Sequence, residues 1–155
     1  MKYTIYTDGS HLKHTSKRLG VGGVMVDESD NIIDEFSEEV SIDFLKTTYG
    51  TSDVSNPTCE MLAALFAIKK FGSKMKPGDE ACIKADYTGV MNFNTGVWKA
   101  RLPYIILIRD EIQNEIKKQK LNITFGWVKG HQAKGILSQD SKWNNYVDLL
   151  AKGEK

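Results

Sequence analysis

The nine residues Lys2–Ser10, KYTIYTDGS, alternate strictly and are rich in β-branched and aromatic side chains. That pattern fits a pleated strand, with Tyr3, Ile5 and Thr7 on one face and Lys2, Thr4, Tyr6 and Asp8 on the other. The strand runs into a carboxylate, Asp8, and Gly9-Ser10 turn the chain away. An Asp before a Gly is most often a turn residue. In open α/β sheets, however, ligands sit beyond the carboxyl ends of parallel strands. The remainder of the chain decides between these readings.

Two further strands are expected close behind, Gly20–Asp27 and Ile32–Val40, with short connections that predict an antiparallel meander. The glycines of GVGGVMVD mark places where backbones pack closely. Ser41–Ser55 shows no period and is expected to be an irregular link. Asn56-Pro57 then opens a helix, Asn as N-cap and Pro in the first turn, ending at Gly72. Met61, Leu62, Leu65 and Ile68, with Phe66 beside them, form its apolar stripe. Glu60 falls near its start, where an acid ordinarily just complements the helix dipole.

Glu80–Asp86 reads as a fourth strand and again ends in Asp. A short helix, Tyr87–Phe93, follows, then a connection carrying Trp98, Lys99 and Arg101. An amphipathic helix starts at Pro103 and runs to Gln119 with Ile105, Ile108, Ile112 and Ile116 inward. Leu121–Val128 is a fifth strand, with Leu121, Ile123, Phe125 and Trp127 on one face. A loop holding His131 leads to a last helix, Asp140–Lys152, which carries Asp148. The expected order is βββαβααβα. The helical links around strand four favour parallel neighbours with right-handed crossovers. With strand one beside strand four, Asp8 and Asp86 meet at one edge of the sheet.

With 155 residues and 41% hydrophobic content, one domain with a full core is expected over the whole chain. No apolar run reaches membrane-spanning length. The first strand starts almost at once, so no targeting segment is expected and a cytoplasmic protein follows. Cys59 and Cys82 lack metal-ligand spacing and read as two buried free thiols. The net charge is +1, but eight acids crowd Asp27–Asp43 while bases gather at Lys13–Arg18, Lys69–Lys76, Lys99–Arg101, Lys117–Lys120 and Lys129–Lys134. Such runs are ordinarily solvated faces, yet the separation permits one basic face.

Asp8, Glu60, Asp86 and Asp148 gathered together would repel and raise one another's pKa. Cations make such a cluster tolerable, and oxygen donors without thiolate select Mg²⁺ or Mn²⁺. Two such ions about 4 Å apart activate water and stabilise the leaving oxygen in phosphoryl displacement.

TDGS at Thr7–Ser10, CEMLAALFAI at Cys59–Ile68, AD at Ala85–Asp86, WVKGH at Trp127–His131 and NNYVDLLAKG at Asn144–Gly153 resemble, in order, the segments of type 1 ribonuclease H. The resemblance spans Lys2 to about Gly153. It implies a ribonuclease H-like α/β fold: a five-stranded mixed sheet, three antiparallel strands then two parallel, flanked by helices. It implies that Asp8, Glu60, Asp86 and Asp148 hold two Mg²⁺ ions, Mn²⁺ substituting, and that the RNA strand of an RNA–DNA hybrid is cut to 5′-phosphate and 3′-hydroxyl ends. His131 then serves proton handling and product release. Glu60 also meets a 2′-hydroxyl. Gly9, Ser10, Asn56, Thr88 and Lys99 are the expected substrate contacts, and the protein is expected to work as a monomer.

The sequence also departs from that pattern. Tyr87-Thr88 stands where many members have Ser-Gln, and Pro57 where a second Asn is common. The basic substrate-binding handle of some members is missing, with Trp98, Lys99 and Arg101 as partial substitutes. Gly135–Asp140 reads as an insertion between His131 and Asp148. Two other readings stay open at this point: a hybrid-binding module without catalysis, and a relative that cuts DNA or double-stranded RNA on the same fold.

Overall fold

The structure is a computed structural model and describes residues 1–12, 17–129 and 138–154. Five strands form one sheet: β1 (Lys2–His11), β2 (Arg18–Val26), β3 (Ile32–Ser41), β4 (Glu80–Ala85) and β5 (Asn122–Trp127), in the order β3-β2-β1-β4-β5. The meander β1–β2–β3 is antiparallel, and β4 and β5 add to β1 in parallel. This is the architecture expected from the sequence. The helices are α1 (Ile42–Tyr49), α2 (Asn56–Phe71), α3 (Thr88–Thr95), α4 (Pro103–Gln119) and α5 (Gln139–Lys152).

β1 is central and buried on both sides from Ile5 to Gly9. One face of the sheet packs the main core beneath α1, α2 and α4, built from Ile5, Met25, Leu45, Leu62, Ile83, Ile108 and Ile112. The other face receives α5 through Tyr6, Val24, Val128, Trp143, Val147 and Leu150. Gly20 and Gly22 permit that second contact. A Cβ on Gly20 would collide with the Ala151 carbonyl, and one on Gly22 would press on Leu150. The close approach expected of these glycines is therefore made by a helix on a strand. Two acids fix the far end of α5. Asp140 accepts from Tyr6 Oη at 2.6 Å and from Lys84 Nζ at 3.2 Å. Asp30, in the β2–β3 turn, accepts from Gln139, Lys142 and Trp143.

Several expectations are corrected. Ser41–Ser55 is not wholly irregular, because it contains α1. Ser41 Oγ accepts from the Phe44 amide, Leu45 and Tyr49 bury, and Gly50 closes the helix in the left-handed region at φ 69°. The N-cap of α2 is Ser55, not Asn56. Asp53 organises this entry by accepting from Ser55 Oγ and Thr58 Oγ1, both at 2.7 Å. Gly72 stays right-handed, and the chain continues into a 3₁₀ turn, Gly72–Lys74. β1 does not stop at Asp8 with Gly9-Ser10 turning away; it runs on to His11, Gly9 and Ser10 pairing with Val21 and Gly20 of β2. β4 stops at Ala85, α3 begins at Thr88, and Cys82 is only half-buried. Ile123 and Phe125 pack against the core as expected, but Trp127 is 47% exposed.

Candidate active site

The register explains how three of the acids meet. Tyr6 lies opposite Lys84 in the parallel β1–β4 pair. Side chains alternate, so two residues further on Asp8 and Asp86 point to the same face, the one that α5 covers. Asp148 is on α5. Glu60 comes from the opposite side, on α2, and reaches β1, where its Oε1 accepts from the Gly9 amide at 2.6 Å. Carboxylate oxygens of Asp8, Glu60 and Asp86 lie within 4.8 Å of one another. Asp8, Asp86 and Asp148 line an open cleft of about 510 Å³. Asp148 Oδ2 is held by Lys152 Nζ at 3.0 Å, one helical turn on.

Glu60 is 1% exposed and does not serve the helix dipole. It lies just past the first turn, and its Oε2 is buried with no hydrogen-bond partner. An orphaned buried carboxylate oxygen is costly. Burial pushes the Glu60 carboxyl well above its ordinary range, and the Asp8 charge adds to this. Asp8 is raised to about 7, first by burial and then by the charges of Asp86 and Asp148. Both effects follow from packing like charges in a place poor in water. Cys59, the nearest thiol, points elsewhere, to the Val54 carbonyl at 3.4 Å, and burial pushes it up to about 12. Among the described residues the donor set is carboxylate oxygen alone, with one buried oxygen unpaired. It fits a hard divalent cation.

Gly9, Ser10, Asn56 and Thr88 line the same cleft. The Gly9 amide is already engaged by Glu60, whereas Asn56 is exposed. Lys99 is exposed but is not among the cleft-lining residues. His131 and residues 130–137 lie outside the described residues. The sequence reading left two cleft-lining residues, Tyr87 and Trp127, without a site role. Lys152 was missed too, although its i,i+4 spacing from Asp148 is legible in VDLLAK.

A mixed five-stranded sheet with carboxylates just past the β1–β4 pairing, at Asp8 and Asp86, joined by one from α2, defines a ribonuclease H-like protein. The family model for RNase H matches residues 1–155, and the chain belongs to that family. No curated protein matches it by sequence. Among solved structures, it is similar to RNase H1 from the archaeon Halobacterium salinarum, with a TM-score of 0.73 and 17% identity over 99% of this chain and 97% of that one. The N-terminal RNase H domain of Rv2228c from Mycobacterium tuberculosis gives 0.71 and 19% over 99% and 92%. LC11-RNase H1, solved in complex with an RNA/DNA hybrid, gives 0.65 and 21% over 81% and 84%. At these identities the likeness concerns the fold. No helix among the described residues is long and apolar enough to cross a membrane.

Proposed function

We propose that residues 1–155 form one catalytic domain, a metal-dependent endoribonuclease that hydrolyses the RNA strand of RNA–DNA hybrids to 5′-phosphate and 3′-hydroxyl ends. The observation that carries this reading is the convergence of Asp8, Glu60 and Asp86 within 4.8 Å at the mouth of a cleft that Asp148 also lines. A binding module gains nothing from carboxylates facing phosphates. Family membership and the hybrid held by LC11-RNase H1 point to the same substrate.

Asp8, Glu60, Asp86 and Asp148 are the residues that would hold two Mg²⁺ ions, or Mn²⁺ in their place. When bound, such ions polarise the phosphate and supply a reactive water at neutral pH. The chain's own work is placement. The backbone of β1 fixes Asp8, the Gly9 amide fixes Glu60, and Lys152 fixes Asp148 until cations or substrate arrive. The open cleft admits a duplex backbone, with Ser10, Asn56 and Thr88 at its rim. Recognition through shape and 2′-hydroxyls suits this rim better than reading of base edges. His131 is proposed to manage protons at the leaving group.

The reading is tested with a hybrid labelled on the RNA strand, beside matched DNA and RNA duplexes, in Mg²⁺. Cleavage confined to the RNA of the hybrid, with 3′-hydroxyl ends, is expected. Cleavage of the DNA or RNA duplex at a comparable rate contradicts it.

A further inference from the structure

We propose that Trp127 is a positioning residue for Asp86 and also the platform on which a sugar ring of the cut strand rests. The inference builds on the hybrid-cleaving reading above.

The ladder between β4 and β5 ends at the pair Ala85–Trp127, where the Val128 amide donates to the Ala85 carbonyl at 3.0 Å. Asp86 is the next residue and has no strand partner on that side. The Trp127 side chain supplies one: its indole N–H donates to the Asp86 carbonyl at 3.0 Å. Tyr87, which follows, is the N-cap of α3 and makes no side-chain cap bond. Between the end of β4 and the start of α3, Asp86 is thus held by this indole. Its carboxylate, one of the three that converge, depends on a backbone anchored by a side chain rather than by the sheet.

The rest of the ring looks into the cleft. Trp127 lines it alongside Asp86 and Asp148, with 47% of its surface exposed. Tryptophan is on average a well-buried residue. Here it lines the cleft beside three acids as a broad, rigid apolar surface, with Tyr87 the other aromatic among the described lining residues. Aromatic faces of this kind support sugars and bases of nucleic acids without reading sequence. A ring flush with Asp86 lies next to the strand whose phosphate the acids address, which assigns it to the strand being cut.

Trp127→Phe keeps a ring and removes the N–H, and Trp127→Ala removes both. Circular dichroism first establishes that each variant folds. Calorimetric titration with Mn²⁺, without nucleic acid, then reads the positioning role. Trp127→Phe is expected to weaken the tighter Mn²⁺ site several-fold and to lower kcat about 10-fold with KM unchanged, as small misplacements of a reacting group do. Trp127→Ala is expected to raise KM about 10-fold besides, through the lost stacking surface. In a Trp98→Phe background, adding hybrid to the Asp8→Asn protein should quench tryptophan emission, and the quench should vanish in the Asp8→Asn/Trp127→Phe double variant. Unchanged Mn²⁺ affinity in Trp127→Phe overturns the positioning role, and a quench that survives in the double variant overturns the platform. A wild type that binds Mn²⁺ and hybrid but cuts neither strand counts against the cleavage reading alone. The titration and the emission still decide the role of Trp127.

Discussion

The Gly9 amide donates to Glu60 Oε1 across 2.6 Å and ties β1 to α2. The contact requires the two backbones to be very close. A Cβ on Gly9 would collide with the carbonyl of Cys59, the residue just before Glu60.

Gly9→Ala is therefore expected to push α2 off β1. The collision is with backbone, so no side chain can rotate away. A loss of about 2 kcal/mol is expected from such overpacking, together with loss of cleavage because Glu60 moves. Urea unfolding and a hybrid-cleavage assay check both. Stability equal to the wild type contradicts the close approach.

Asp8→Asn is expected to stabilise the metal-free protein while abolishing cleavage. Asp8 is 6% exposed, and burial with neighbouring acids lifts its pKa to about 7. At pH 8 the folded state carries a charge it does not favour. Replacing it with an amide of the same shape should add on the order of 1–3 kcal/mol. Mg²⁺ should raise the melting temperature of the wild type and leave that of Asp8→Asn nearly unchanged. Thermal denaturation with and without Mg²⁺ reads both effects.

The same two carboxyls set the pH dependence. Folded-state pKa values raised above the unfolded ones mean that the stabilising contribution of Asp8 and Glu60 is present below about pH 4 and is lost as pH rises. For Asp8 the loss is spent as pH passes through about 7, and for Glu60 it continues higher. Asp30 works in the opposite sense. Hydrogen bonds from Lys142, Trp143 and Gln139 hold its pKa down at about 2, so its contribution is present above about pH 4 and fades as pH falls. The metal-free protein should be most stable near pH 4, and the decline toward pH 8 should flatten in Asp8→Asn. A melting temperature in EDTA that rises steadily from pH 5 to pH 8 contradicts this.

Asp30→Ala is expected to loosen α5. Asp30 sits at φ 66°, a conformation Asp tolerates better than Ala, and it accepts from the indole of Trp143, which is buried. Leaving that donor unpaired should cost about 1–3 kcal/mol. Asp30→Asn keeps both an acceptor and the backbone preference and should recover most of the loss. Denaturant midpoints of the two variants make the comparison.

Much of this fold is legible in the sequence because its elements are long or strictly periodic. The alternation of Lys2–Ser10 and the isoleucines of α4 leave little choice. The meeting of Asp8 and Asp86, just past the paired stretch of β1 and β4, follows once strands one and four are neighbours. What escaped has physical reasons. α1 buries only Leu45 and Tyr49, too few positions for a period to appear, although Ser41 and Gly50 bracket it. Asn56 is a good N-cap by type, but the side chain of Asp53 organises the helix entry one residue earlier, around Ser55. Trp127 continues the inward alternation of Ile123 and Phe125, yet β5 is an edge strand and its end lies at the cleft. Alternation tells which side a residue faces, not whether a helix covers it there.

Asp8, Glu60, Asp86 and Asp148 are proposed to make a metal-dependent site for cutting RNA in a hybrid. The most direct measurement is cleavage of a labelled RNA–DNA hybrid by the wild type and by Asp8→Asn, each with Mg²⁺ and with EDTA, alongside hybrid binding by both. Cutting is expected only by the wild type and only with Mg²⁺, while Asp8→Asn stays folded and still binds. Equal cutting by the two proteins, or cutting that persists in EDTA, contradicts it.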